Sequence, residues 1–307
     1  MSQAPLVNAV GLRKQYTDTI AVDGVDFAVQ AGEIFGLLGP NGAGKSTTMR
    51  MLSCISRPTG GTLEILGMDA ATQGRAIRSR LGVCPQQDTL DLELSLLQNL
   101  TVFARYFGIR RGEAHRRAME LLGFAQLEDR AHDNIATLSG GMKRRLSIAR
   151  AMINDPALVL LDEPTTGLDP QARHMLWERL DRLRRQGVTL LLTTHYMDEA
   201  EQLCDRLVVV DHGRIVASGT PGQLIAAHCT KEVVELRFNS DTGTSAADLS
   251  GPWRTEKLPD RVLVYADDGE AAASELHRRN VGAHSSTVRR AGLEDVFLHL
   301  TGRTLVD

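Results

Sequence analysis

The chain has 307 residues, 42% of them hydrophobic and 24% charged, which at about 100–200 residues per domain makes about two domains with room for a buried core. Lys and Arg number 35 against 38 Asp and Glu, so the formal charge is −3, without the positive excess that nonspecific nucleic-acid binding requires. The longest apolar runs are strand-length, far short of the roughly 20 residues of a membrane-spanning helix, and the first 16 residues lack the apolar stretch of a secretion signal; a cytosolic chain is expected.

Residues 7–10 and 22–29 alternate apolar and polar side chains, the pattern of half-buried antiparallel strands. GEIFGLLGP is a continuous apolar run closing on Gly39 and Pro40, and NGAGKSTTMRMLSCI is a glycine-rich turn opening into a helix. Residues 58–61 interrupt the chain and 62–66 resume it as a strand. Helical spacing over 95–107, with Ser95 as its cap, is followed by a linker at 108–112 and a second helix over 113–122. A helix is expected over 142–153, after LSGG. Strands and helices then alternate: an all-apolar strand at 157–161, helix 171–185, strand 188–193, helix 197–204, strand 207–211. That rhythm predicts an α/β sheet covered by helices.

The character changes near 219–222. Residues 232–238 and 261–266 read as edge-type strands, 241–251 as a polar loop, and 270–279 and 293–300 as helices. We therefore divide the chain into residues 1–228 and a small α+β domain, 229–307, with no catalytic constellation. Cys54, Cys84, Cys204 and Cys229 are scattered without a CxxC pair, which predicts buried free thiols rather than a zinc site or disulfides.

Three motifs carry chemistry. Gly39-Pro40-Asn41-Gly42-Ala43-Gly44-Lys45-Ser46-Thr47 matches GxxxxGK[ST], in the strand-to-helix context where backbone N–H groups converge on phosphate oxygens. Lys45 is expected to reach the β- and γ-phosphates of a nucleotide, and the Ser46 hydroxyl to bind Mg²⁺; this loop alone does not choose among kinases, GTPases, helicases and transport ATPases. In LVLLDEPTTGLDP a strand ends on two carboxylates: Asp162 is placed to hold Mg²⁺ through water, and Glu163 to polarise the attacking water. Ser139-Gly140-Gly141 opens a helix and offers a further cradle of backbone donors. The neighbouring basic clusters, 110–111, 116–117, 143–145 and 182–185, read mostly as solvated helix faces.

The order GPNGAGKST, PQQ, LSGGM, LLDEPTTGLD, TTHYMDEAE resembles the nucleotide-binding subunits of ABC transporters over roughly residues 6–225. The resemblance implies a P-loop fold of ABC type: a mixed sheet core, an antiparallel β subdomain and a helical subdomain. It implies that Tyr16 stacks on adenine and that Gln86 senses the γ-phosphate and Mg²⁺ on a loop coupled to the membrane subunit. It also implies that Ser139, Gly140 and Gly141 grip the nucleotide of the opposite subunit, that Asp169 is the aspartate of the loop after the carboxylate strand, and that His195 is the switch histidine. Met142 stands where the family commonly has glutamine, which removes an amide but leaves the Ser-Gly-Gly donors.

LTVFARYFGI, INDPALVLLDEPTTGLDPQARHMLWERL and LEDVFLHLTGR are similar to the ATP-binding proteins of nodulation lipo-chitooligosaccharide export, and also to the daunorubicin-resistance ATPases. The implied protein is an ATP-hydrolysing homodimer on the cytoplasmic face of the inner membrane. Its partner is an ABC-2-type transmembrane permease, one cytoplasmic helix of which enters a groove near Gln86 walled by the helices at 95–122. A drug or another glycolipid is the alternative cargo. A DNA- or ribosome-directed ATPase is disfavoured, because one motif set and no sustained heptads are present.

Overall fold

The alternating pattern at the start of the chain runs further than its clearest stretches. Strand β1 spans Val7–Tyr16 and β2 spans Thr19–Val29, paired antiparallel and bent by irregular register between Ala9 and Gln15. Tyr16 ends β1 and stands three residues before β2. The computed structural model describes residues 4–238 and 249–302; contacts divide the chain into two units, Met1–Gly219 and Thr220–Asp307. In the first unit β3 (Ile34–Leu38) leads through the glycine-rich turn into α1 (Lys45–Leu52). Strands β4 (Gly60–Ile65) and β5 (Met68–Asp69) complete a four-stranded antiparallel sheet in the order β2-β1-β4-β5.

After α2 (Gly74–Arg78) and β6 (Leu81–Cys84) come two helices, α3 (Leu96–Arg105) and α4 (Arg111–Ala125), and then α5 (Gly140–Ala151). Ser95 caps α3 as its sequence predicts. Its hydroxyl accepts from the N–H of Gln98 (3.2 Å) and the Gln98 side chain accepts from the N–H of Ser95 (2.8 Å), a reciprocal pair of the kind whose cap contributes about 1 kcal/mol. Leu96, Leu100, Leu122, Leu146 and Ile153 join these three helices in one core.

The remaining elements of the first unit are β7 (Leu158–Asp162), α6 (Pro170–Arg185), β8 (Thr189–Thr194), α7 (Met197–Leu203), β9 (Arg206–Asp211) and β10 (Arg214–Gly219). The six-stranded sheet has the order β10-β9-β3-β8-β7-β6. All its pairs are parallel except β10 with β9. Strands β3, β7 and β8 are almost wholly buried, as their unbroken apolar runs require. The register sets Leu38 beside Thr194, Asp162 beside Thr193, and Leu161 beside Cys84. The segments that leave the carboxyl ends of β3, β8, β7 and β6 therefore emerge side by side, where a crevice forms in open parallel sheets.

The second unit opens with α8 (Pro221–His228), which packs on a later helix of the same unit, so these residues fall on the far side of the division from the one drawn on the sequence. Strands β11 (Glu232–Arg237), β12 (Arg254–Lys257) and β13 (Val262–Ala266), helix α9 (Gly269–Arg278), β14 (Ser285–Arg290) and α10 (Leu293–Thr301) follow. The sheet order is β12-β13-β11-β14, so the two strands expected at edges are the two central ones. Alternate residues face opposite ways, and both faces are covered. Val234, Leu236 and Val264 meet Ala272 and Leu276 of α9, while Val233, Leu263 and Tyr265 meet Leu298 of α10 and Ile225 of α8. Most of the polar loop expected at 241–251 lies outside the described residues. No cysteine is in a disulfide; Cys84 and Cys204 are buried as expected, whereas Cys54 and Cys229 are half-buried.

Candidate functional site

The turn from β3 into α1 is shaped by glycines with no room to be anything else. A Cβ on Gly39 would lie 2.1 Å from the carbonyl oxygen of Val210, and one on Gly44, whose φ is +100°, would lie 2.3 Å from that of Ala21. Gly42 has φ +81° and lies open. Asn41, Gly42 and Ser46 are exposed, Pro40, Gly44 and Thr47 are partly so, and Gly39, Ala43 and Lys45 are buried. The Lys45 ammonium is folded over the turn, donating to the carbonyls of Gly39 (2.6 Å) and Pro40 (2.9 Å). Burial holds its pKa below the usual lysine range, against the opposing pull of Glu163 and Asp162.

Glu163 is the hub of the site. It is 7% exposed at the end of β7. One carboxylate oxygen lies 3.7 Å from Lys45 Nζ and 3.3 Å from His195 Nδ1. The other accepts from Gln86 Nε2 and from the Thr166 hydroxyl, each at 3.0 Å. Its backbone N–H donates to Thr193 Oγ1 (2.9 Å), and the Thr193 hydroxyl donates to Asp162 Oδ1 (2.6 Å). Burial raises the Asp162 pKa, with Glu163 adding to the rise, while the bond from Thr193 opposes it. Lys45, Gln86, Asp162, Glu163 and His195, which lie up to 150 positions apart in the sequence, are thus gathered at the carboxyl ends of β3, β6, β7 and β8. Thr166 and Thr193 join them unforeseen; in the sequence each merely belongs to a threonine pair, 165–166 near Glu163 and 193–194 before His195.

Oxygen donors suited to a hard divalent cation are present: the exposed Ser46 hydroxyl, the Asp162 carboxyl, and Gln86 Oε1, which its donating Nε2 leaves available. Among the described residues no group of three or more His, Cys, Asp or Glu could form an all-protein metal cage. A cation here is of the kind shared with substrate phosphates, which the residues fit.

Tyr16, Asp169 and Ser139-Gly140-Gly141 form no hydrogen bond or ion pair with this cluster. Tyr16 is 42% exposed, with Lys14 Nζ 5.0 Å above its ring. Asp169 caps α6, accepting from the N–H of Ala172 (2.9 Å). Ser139 caps α5 through the N–H of Met142 (3.3 Å), and Ser139 and Gly140 are exposed. The Met142 sulfur accepts from Arg130 (3.4 Å), so this side chain turns into the helical core.

A groove of about 470 Å³ adjoins β6. It is lined by Ile55, Arg75, Val83, Phe103, Tyr106 and Phe107 among others, with Tyr106 80% exposed. Gln86 is not among its lining residues, and of the helices at 95–122 only the first contributes to it. The end of α3 and the residues after it line one side, and α2 and the segment after α1 the other; a separate groove is walled by α3 and α4, the two helices expected, and Gln86 does not line that one either. The basic clusters also need correction. Arg116 and Arg117 pair with Glu113 on the surface of α4, but Arg144 is 8% exposed, and Arg145 donates to the Ala125 carbonyl (2.7 Å).

Comparison with known proteins agrees with this fold. Residues 22–166 match the family described as ABC transporter, and residues 245–302 match the C-terminal domain of the nodulation factor export protein NodI. The chain is 47% identical over its whole length to the Nod factor export ATP-binding protein I of Burkholderia pseudomallei (strain K96243), also covered in full. It is 47% identical to the protein of the same name from Cupriavidus metallidurans, with 96% of this chain and 97% of that one covered. Among solved structures, the ATP-binding subunit of an ABC transporter superposes with a TM-score of 0.66 at 35% identity, covering 72% of this chain and 92% of that one. A dimeric ATP-binding cassette in a post-hydrolysis state with ADP and Pi superposes with a TM-score of 0.65 at 28% identity, covering 70% and 98%.

Proposed function

Because the chain belongs to the ATP-binding, ATP-hydrolysing subunits of ABC transporters, we propose that it powers export of a lipo-chitooligosaccharide through an ABC-2-type permease at the cytoplasmic face of the inner membrane. The single observation that carries this reading is the pairing, in one chain, of the Glu163-centred site with a second unit similar to the nodulation factor export C-terminal domain. Among the described residues no helix is long and apolar enough to cross a membrane, so in this reading the pore belongs to the partner.

The residues divide the work as follows. The glycine-rich turn binds the triphosphate of ATP through its N–H groups, with Tyr16 against the adenine. Lys45 exchanges the carbonyls of Gly39 and Pro40 for phosphate oxygens, an anion that favours the charged ammonium against the pull of burial. Ser46, Asp162 and Gln86 hold Mg²⁺, which neutralises charge on the phosphates. Glu163 takes a proton from the attacking water, while Gln86 and His195 orient its carboxylate. Ser139, Gly140 and Gly141, at the start of α5 and bonded to nothing in the cluster of their own chain, bind the nucleotide of a second copy related by twofold symmetry, with Asp169 near the shared boundary. The apolar groove holding Tyr106 receives the permease helix, with Arg75 at its rim facing an acidic residue.

The test is transport. Inverted membrane vesicles carrying this chain and its permease should accumulate labelled lipo-chitooligosaccharide only with Mg²⁺ and ATP. ATP-driven uptake of an anthracycline but not of the lipo-chitooligosaccharide would overturn the substrate assignment.

A further inference from the structure

Arg144 lies five residues after Ser139 on α5, about 7 Å along the helix. It is buried, yet among the described residues it pairs with no carboxylate. Its guanidinium is spent on backbone carbonyls: Nε donates to Pro164 (2.9 Å), Nη2 to Asp162 (2.6 Å), and Nη1 to Pro85 (2.5 Å), with Gln86 at a longer 3.5 Å. Two of these carbonyls bracket Glu163, and the other two carry the Gln86 loop.

The bracketed residue is strained. Glu163 has φ +45°, the left-handed region that a residue with a Cβ adopts at a cost and keeps only where its surroundings over-determine it. Thr193 holds its N–H, and Arg144 holds the carbonyls before and after it. Two further side chains on the same stretch of α5 reach the same loop. Ser147 donates to the Asp88 carboxylate (2.9 Å); Arg150 donates to the Thr89 carbonyl (2.6 Å) and to its hydroxyl. Helix α5 is therefore fastened to residues 85–89 at three successive places, and Arg144 alone also reaches the end of β7.

We infer that Arg144 is a positioning residue for ATP hydrolysis: it holds Glu163 and Gln86 in their working geometry and ties both to the helix that begins at Ser139. A nucleotide of the second copy, engaging the start of α5, thereby acts through a rigid helix on the hydrolytic carboxylate of this chain. The inference rests on the reading of Glu163 as the base and of Ser139–Gly141 as a contact to the second copy's nucleotide. A planar fork of five donors suits several carbonyls at once; a lysine offers a point charge, and a glutamine one amide.

The experiment measures steady-state hydrolysis and equilibrium binding of MgATP with the full chain. Arg144→Gln is expected to lower kcat by about tenfold or more while the Kd for ATP stays within about twofold, and Arg144→Lys to recover part of the loss. Combining Arg144→Gln with Gln86→Ala should lower kcat no further than the stronger single change, because the two act on one geometry. A role confined to stability would lower the melting temperature and the active fraction while leaving kcat per bound nucleotide unchanged. That result, or multiplicative losses in the double variant, or a kcat for folded Arg144→Gln within twofold of wild type, would overturn the inference. Should Arg144→Gln fail to fold, Arg144→Lys decides by the same criteria. Failure of the underlying reading is separate: wild-type protein would then hydrolyse no ATP, or Lys45→Ala would retain full activity.

Discussion

Two buried carboxylates, one in each unit, are held in opposite ways. In Thr220–Asp307 the most buried carboxylate, Asp295, is 1% exposed and saturated: both oxygens accept from the Arg289 guanidinium (2.7 and 2.9 Å), one also from the Tyr265 hydroxyl (3.2 Å) and the other from the N–H of Gly292 (2.9 Å). In Met1–Gly219 the carboxylates around β7 are held by groups that have other work. Glu163 sits on a left-handed backbone, and Lys45 spans carbonyls that phosphates can replace. The Thr165 hydroxyl, His195 Nδ1 and one Glu199 oxygen are buried without a well-formed hydrogen bond. A carboxylate whose oxygens are all engaged maintains a fold; one on a strained backbone, held by groups that phosphates can displace, suits a site that binds substrate.

Substitutions can break this contrast, the largest effect first. Glu163→Gln should keep ATP affinity but reduce turnover by about 10²–10⁴-fold, the range of a lost general base, in a phosphate-release assay. Asp295→Ala should cost the second unit about 3 kcal/mol by leaving the buried Tyr265 hydroxyl and the Gly292 N–H unpaired, read by denaturant melting, with ATP affinity unchanged. Lys45→Ala should weaken ATP binding by about 10²-fold, measured by equilibrium titration. Glu199→Gln sharpens the contrast most gently. Burial raises the Glu199 pKa, so the native state favours the neutral acid. That contribution is complete at pH below the unfolded carboxyl value and is lost as pH rises through the higher native value. The isosteric amide does not titrate and can still accept from Trp177 Nε1, as Glu199 does at 3.2 Å. Its melting temperature should exceed wild type by about 3 °C at pH 8, with the gap closing on acidification.

Sequence and structure agree where a local rule decides. The glycine-rich turn, the buried strands β3, β7 and β8, and the caps Ser95 and Ser139 follow from residue chemistry over a few positions. They diverge where the deciding partner is remote. Residues 232–238 and 261–266 look like edge strands because each carries charged or polar ends, yet α8, α9 and α10 cover both faces of the sheet they form. Arg144 reads as a solvated cation because lysine and arginine surround it. A finer signal was present, since Ser147, Ile148 and Ala151 lie three, four and seven residues on, a small and apolar stripe in which an arginine is out of place. The threonines at 166 and 193 carried no such mark, because a hydroxyl that orients a carboxylate looks like any other until the strands are in register.

Central to the account is that one chain's Lys45 and Glu163 work with another chain's Ser139. Ser139→Arg and Lys45→Ala chains, each inactive alone, should regain ATPase activity when mixed. Random pairing makes half the dimers mixed, each with one intact site of two, so the mixture should reach about a quarter of the wild-type rate. No activity in a mixture whose mixed dimers are shown to form by a two-tag pull-down would contradict the account.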